Sequence, residues 1–168
     1  MRLFLVRHAI AHERSQRNWP DDARRPLTPA GARRFRKATS GLAHLLPRDA
    51  ALLTSPFVRA RETALILAKA AQLAKPIECA ELAAGKSVEQ VFALLRARKE
   101  AAVIVVGHEP DLSSLLSAAL AANGARIDIE FKKGGAACIR FGGRVAPGAA
   151  TLEWLLPPRV LRALRRAR

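Results

Sequence analysis

Residues 1–9 read Met1-Arg2-Leu3-Phe4-Leu5-Val6-Arg7-His8-Ala9, and this stretch decides how the remainder is understood. Leu3 to Val6 is apolar without a break, which suits a strand covered on both faces, because a half-exposed strand would alternate polar and apolar side chains. The run stops at Arg7-His8. A cation beside a potential nucleophile at the carboxyl end of a buried strand is where open α/β sheets place their ligands. The rest of the chain is therefore expected to supply further strands or further parts of an anion pocket around His8.

Outward from that strand, Ile10 to Arg25 is polar and irregular, with Trp19-Pro20-Asp21-Asp22 near its middle, and reads as a long loop of the functional kind. Thr28 is a candidate N-cap with Pro29 at the first helical position, predicting a helix from Pro29 to about Leu46. Ala50–Thr54 is a second apolar strand, broken by Ser55-Pro56. A helix follows from about Phe57 to Leu73, with Ala60, Ala64, Ile66 and Leu67 as its buried stripe. Pro76-Ile77-Glu78 starts a short third strand and Ala83–Lys86 turns. Val88, Val91, Phe92, Leu94 and Leu95 then have helical spacing up to about Lys99.

Ala101–Val106 is a second wholly apolar strand, and it too ends at a histidine, in Gly107-His108. Pro110–Ala122 carries Leu112, Leu115, Leu116 and Leu120 on one side, an amphipathic helix closed by Asn123-Gly124. Gly134–Gly143 and Ala149–Leu156 read as two β segments joined by a Gly/Pro turn, hence an antiparallel hairpin or sheet edge. Pro157-Pro158 introduces a terminal helix, Arg159–Arg168. Strands alternating with helices predict an α/β fold, a three-layer α/β/α sandwich whose mostly parallel central sheet has an antiparallel edge. There is no internal repeat, low-complexity tract or linker, so a single domain over 1–168 is expected.

The 168 residues and 50% hydrophobic content suffice for a globular core. No apolar run approaches the ~20 residues of a membrane-spanning helix, and the first strand lacks the features of a signal peptide, so a cytoplasmic protein is expected. Cys79 and Cys138 lack the paired spacing of a zinc or redox site and are expected to stay reduced. The net charge of +15 favours anionic partners without choosing among nucleic acid, acidic proteins and phosphate esters, and part of it can be compositional habit.

Three positions stand at corresponding structural places. Arg7-His8 ends the first strand, Arg59 lies in the first turn after the second, and His108 ends the fourth. Together they would gather two guanidinium groups and two imidazoles at one end of the sheet, with the helix N-terminus at Arg59 adding N–H donors. Phosphate fits such a pocket: arginine can hold its oxygens by paired N–H bonds, and neutral imidazole can attack phosphorus. Taken singly, each residue also has a structural reading as a polar strand cap or a surface arginine; only the combination points to chemistry. A zinc site from His8, His12 and Glu13 lacks further ligands at metal-site spacing. Neither Gly-Gly pair fits a phosphate-binding glycine loop.

At these residues the chain resembles the histidine phosphatase (phosphoglycerate mutase-like) superfamily, most closely its SixA-type phosphohistidine phosphatases. The resemblance rests on Leu5-Val6-Arg7-His8-Ala9, Arg25-Pro26-Leu27-Thr28-Pro29-Ala30-Gly31, Ser55-Pro56-Phe57-Val58-Arg59-Ala60-Arg61-Glu62-Thr63-Ala64 and Val106-Gly107-His108-Glu109-Pro110, and extends to Trp154 and Pro157. It implies that His8 is a nucleophile that becomes transiently phosphorylated, that Arg7 and Arg59 clamp the phosphoryl oxygens, and that His108 donates a further hydrogen bond. It implies no metal and no cofactor. Positioning and charge neutralisation would then carry most of the catalysis.

Two departures qualify the resemblance. The glycine usual after the nucleophile is Ala9, compatible with activity if the backbone there does not need a positive φ. The glutamate that protonates departing alkoxides in ester-cleaving members is replaced, since Glu81-Leu82-Ala83-Ala84 places alanine there, unless Glu78 or Glu81 is shifted into the role. The missing acid favours phosphohistidine on a protein as substrate over sugar or glycerate phosphates. His12, Glu13, Asp21 and Asp22 are expected to be solvated loop residues or to line the pocket mouth. The alternatives are a small-molecule phosphomonoesterase with the same His8 chemistry, or a nucleic-acid-binding module. The second would use Arg159, Arg162, Arg165, Arg166 and Arg168 as a basic ridge, but no aromatic platform accompanies it. The oligomeric state is not legible in the sequence.

Overall fold

The computed structural model describes residues 1–122 and 124–164. Asn123 of the expected helix-closing turn and Arg165, Arg166 and Arg168 of the expected basic ridge lie outside the described residues. Six strands form one sheet: β1 (Arg2–Arg7), β2 (Ala51–Thr54), β3 (Ile77–Glu78), β4 (Ala102–Gly107), β5 (Ala136–Phe141) and β6 (Ala150–Leu156). The helices are α1 (Pro29–Leu42), α2 (Val58–Ala71), α3 (Val88–Arg96), α4 (Asp111–Leu120) and α5 (Pro158–Leu164). Strand order is β3-β2-β4-β1-β5-β6; β1 to β4 are mutually parallel, β5 is antiparallel to β1, and β6 is antiparallel to β5.

The apolar runs of β1 and β4 lie side by side at the centre of this sheet, where both faces are covered. Phe4, Val6, Ile104 and Val106 pack under α1, α2 and α5. Leu3, Leu5, Val103 and Val105 pack under α3 and α4. Neighbouring strands β1 and β4 are thus followed by helices on opposite faces, which opens a crevice at their shared carboxyl end. His8 and His108 stand at that crevice.

Several element ends differ from expectation for local reasons. α1 stops at Leu42, short of Leu46, because the Ala43 N–H reaches the Thr39 and Gly41 carbonyls and the chain tightens into a 3₁₀ turn over Ala43–Leu45. α2 ends before Leu73 because Gln72 turns left-handed, φ 55°. α3 stops at Arg96, before Lys99, in a turn closed by the Arg98 N–H on the Leu95 carbonyl. α4 is trimmed to Asp111–Leu120, and α5 begins at Pro158, a residue with no N–H to leave unsatisfied at a helix start. β5 starts at Ala136 because Gly134, at φ 75°, instead turns its N–H to the carbonyls of Arg7 and His8. Two further 3₁₀ turns, Asp22–Arg24 and Ala80–Leu82, are too short to have a periodic signal.

Two glycines fix how α1 sits. Thr28 caps the helix by accepting the Gly31 N–H at 2.9 Å, and its own N–H and hydroxyl both reach the Ile10 carbonyl. A Cβ on Gly31 would stand 2.1 Å from that same carbonyl oxygen, so the loop after β1 can lie this close only over a glycine. Further along, a Cβ on Gly41 would stand 2.0 Å from the Leu161 carbonyl oxygen, where α5 crosses α1. Cys79 and Cys138 are free and buried. Among the described residues no helix is long and apolar enough to cross a membrane.

Candidate active site

The parallel register of β1 and β4 does most of the assembly. Arg7 pairs with Gly107, so the next residues, His8 and His108, emerge together, with the His8 N–H on the Gly107 carbonyl at 3.0 Å. Their rings lie 5.2 Å apart, centroid to centroid. β2 ends level with them, since Thr54 pairs with Val106 and the Ser55 N–H donates to the Val106 carbonyl. α2 then begins, and Arg59 is brought in from its first turn. The Phe57 ring lies against both Arg59 and the His108 ring, at 4.9 and 5.0 Å.

Each imidazole is oriented by one protein contact. His8 Nδ1 lies 2.7 Å from the Ala9 carbonyl oxygen. A carbonyl can only accept, so the contact places the proton of the neutral ring on Nδ1 and leaves the Nε2 lone pair bare. Ala9 itself is held by its N–H on Thr63 Oγ1, which in turn donates to the Arg59 carbonyl, and it does not have a positive φ. Alanine therefore stands in for glycine there without backbone strain. His108 Nε2 lies 2.7 Å from Ser55 Oγ, and Ser55 already accepts the Phe57 N–H. Ser55 Oγ can donate to His108 Nε2 or accept from it, while His108 Nδ1 meets no protein partner.

Burial holds both rings neutral: His8 is pushed down to about 3, with Arg59, Arg7 and Lys133 adding to the effect, and His108 to about 3, with His8 and Arg59 adding. Arg7 Nε and Arg59 Nε are buried N–H donors with no protein acceptor, and His108 Nδ1 is a buried ring nitrogen with no protein partner. Buried donors without partners are costly, and an anion with several acceptor oxygens would satisfy them together. Arg7 also donates through Nη1 to the Phe131 carbonyl, which fixes its stem.

The loop after β1 contributes more than the sequence suggested. Asp22, expected to be solvated or at the pocket mouth, reaches Arg59 Nη2 at 3.1 Å and Arg25 Nε at 2.7 Å, while its carbonyl accepts from Arg59 Nη1 at 2.8 Å. Arg25 is 8% exposed and also donates to the His12 carbonyl. The Arg25 hydrogen bond, with Arg59 and Arg14 nearby, holds the Asp22 carboxyl below the usual carboxylate range. Asp22 is thus a fixed anion steering two arginines. The one sequence signal for Arg25 is its place immediately before Pro26, at the start of the motif that caps α1.

Other candidates separate from the site. His12 rests against Trp19, ring centroids 5.8 Å apart, and Glu13 is exposed; among the described residues no group of three or more His, Cys, Asp or Glu side chains could hold a metal ion. Glu78 pairs with Arg61 at 3.0 Å on the sheet edge, and Glu81 makes no hydrogen bond or ion pair with any of the four candidate residues. Glu109, next to His108, is the unforeseen carboxyl. Burial pushes it up, the Ser113 hydroxyl hydrogen bond and Arg7 oppose that, and Oε1 has no partner.

Comparison with known proteins identifies the family to which this fold belongs. Residues 3–83 match the histidine phosphatase superfamily (branch 1). The chain belongs to that superfamily and is a phosphatase. An uncharacterized protein of Picosynechococcus sp. is 35% identical over 94% of this chain and 100% of its own length. The structure of the protein histidine phosphatase SixA complexed with tungstate superposes with a TM-score of 0.81 at 26% identity, covering 96% of this chain and 99% of that one. Within the superfamily the chain is of the SixA type. The alpha-ribazole phosphatase from Shigella flexneri, at 19% identity and TM-score 0.67 over 94% of this chain and 97% of that one, shares the fold.

Proposed function

We propose that this protein hydrolyses phosphohistidine carried by another protein, through a covalent phospho-His8 intermediate formed without a metal ion, with residues 1–168 acting as one catalytic domain. The observation that carries the reading is the bare Nε2 of His8, its ring locked by the Ala9 carbonyl, beside unpartnered side-chain nitrogens of Arg7, Arg59 and His108. The Nε2 lone pair forms a bond to phosphorus while the substrate P–N bond breaks and its electron pair stays on the departing ring nitrogen. Arg7, Arg59 and His108 Nδ1 hold the phosphoryl oxygens as charge shifts among them. Water then attacks phospho-His8, releasing inorganic phosphate and restoring neutral His8.

The leaving group supports this substrate. Phosphohistidine protonated on its other ring nitrogen departs as neutral imidazole, whereas an alkyl ester would depart as an alkoxide needing a proton. Glu78 is committed to Arg61, and Asp22 is held ionised by its arginines, so neither is a ready acid. Glu109 favours a second reading, a small-molecule phosphomonoesterase, because its raised carboxyl beside Arg7 could supply that proton. Turnover of a chemically phosphorylated histidine peptide and of glycerol phosphate decides between them. The first reading expects the peptide to be preferred by at least about a hundredfold and Glu109→Gln to leave it a substrate. Preference for the glycerol ester, lost in Glu109→Gln, would overturn it.

A further inference from the structure

Arg7 has a second face. Beyond the phosphoryl pocket it forms one wall of an open cleft of about 630 Å³, built from the segment before β5, the start of α5 and the exposed side of α1. Its accessible apolar surfaces are Ile10, Ile129, Pro157 and Pro158, and its cations besides Arg7 are Arg34, Lys132, Lys133, Arg159 and Arg162. A crevice of about 50 Å³ lined by Ala9, Ile10, Lys133 and Arg162 joins the same walls to the residue next to His8. Lys133 is close enough to His8 to disfavour its protonation. The cleft thus shares Arg7 with the candidate phosphoryl site, and its side crevice reaches Ala9, the residue after His8.

Charge identifies the occupant. Lys132 pairs with Glu130, but Arg34, Lys133, Arg159 and Arg162 have no carboxylate partner among the described residues. Glu109 is the remaining acid of the cleft, and burial biases it toward its neutral form. Several unpaired cations over an aliphatic and proline floor match an extended peptide with acidic side chains. Nucleic acid fits less well, because Phe131 is 2% exposed and offers no stacking surface.

We propose that this cleft docks an acidic polypeptide segment flanking the phosphorylated histidine of the partner protein, so that substrates are selected by the carboxylates beside the phosphoryl group. This rests on the phosphohistidine reading above and adds the chemistry of the partner. The phosphorylated residue would sit over His8 while its acidic neighbours lie along Arg34, Arg159 and Arg162.

The test uses two synthetic histidine peptides, phosphorylated with phosphoramidate, with four flanking glutamates in one and four flanking lysines in the other. kcat/KM is measured for the full chain, for Arg34→Glu/Arg159→Glu/Arg162→Glu, and for Arg48→Glu/Lys75→Glu/Lys99→Glu, an equal charge change on exposed residues at the opposite end of the sheet. The readout is the ratio between the peptides within each protein, so a general loss of activity cancels. The expected ratio is at least tenfold for the acidic peptide in the wild type, falling to unity or inverting in the cleft variant and persisting in the control. Should the cleft variant not fold, Arg34→Gln/Arg162→Gln is read by the same ratio and is expected to lower it. Equal turnover of both peptides by the wild type overturns the docking proposal alone, as does an equal fall in the control variant. Failure to turn over either peptide while p-nitrophenyl phosphate is hydrolysed overturns the phosphohistidine reading, and this one with it. Stronger inhibition by a single-stranded oligonucleotide than by an unphosphorylated acidic peptide would assign the cleft to nucleic acid instead.

Discussion

The histidine pair and Arg59 are positioned by opposite means. His8 and His108 are placed by strand register at the centre of the sheet, so their separation follows from β1 and β4 pairing Arg7 with Gly107. Arg59 is steered by a loop, through Asp22 and Arg25 in a segment whose only regular features are a 3₁₀ turn and one isolated bridge, Ala11 to Leu27. A register cannot shift by a fraction of a residue without moving every side chain across the sheet. A loop can, and its precision comes from ion pairs. The proposed nucleophile, like Arg7, thus stands at the end of a paired central strand, whereas Arg59 depends on ion pairs from a loop.

The largest test of that division is His8→Ala, which should abolish phosphoenzyme formation and lower kcat/KM at least about a thousandfold while the melting curve shows an intact fold. Retention of a phosphorylated histidine in that variant would break the assignment. Next comes Arg59→Ala, expected to lower kcat/KM by about a hundredfold or more, with Arg59→Lys recovering only part because a lysine cannot hold two oxygens and Asp22 in one plane. Asp22→Asn sharpens the comparison, since it touches only the loop-built half. About a tenfold loss in kcat/KM is expected, and Arg25→Ala should match it if both act by positioning Arg59. A gain in phosphate affinity in Asp22→Asn, measured calorimetrically, would instead mean that the carboxylate competes with the phosphoryl group.

The smallest effect expected concerns stability. His8 and His108 titrate at about 3 in the fold against 6.5 for an ordinary histidine, so between those values the unfolded chain binds more protons. Stability should therefore fall as pH drops from about 6.5 toward 3 and be insensitive to these groups above 6.5. Thermal melts of the wild type across that range should slope down toward acid more steeply than those of His8→Gln or His108→Gln. Equal slopes would mean the rings are not held neutral.

How far the sequence could be read follows the same division. The two apolar runs that end in histidine announce a buried parallel pair, and Arg59 is legible because Ser55-Pro56 stops one strand just before a helix. The partners of Arg59 were hidden because no periodicity marks a loop, and Asp21 and Asp22 look alike until the 3₁₀ turn separates them. Asp21 caps that turn by accepting the Ala23 N–H, while Asp22 is directed at the arginines. Glu109 was hidden for a different reason. A carboxyl's titration depends on how much water its neighbours exclude, and Ser113 and Arg7 meet it only once α4 and β1 are packed. The expected helix ends at Leu46, Leu73 and Lys99 overran because hydrophobic spacing continues past the point where backbone hydrogen bonding turns aside.

Gly41 links these regions in one further way. With the Leu161 carbonyl at a distance that admits no methyl group, any replacement there must lift the last helix off its neighbour and carry Arg159 and Arg162 outward with it. On the docking proposal, a single atom added some distance from the histidines would thus shift peptide preference before it touched the chemistry, making this seam a dial for the cleft alone.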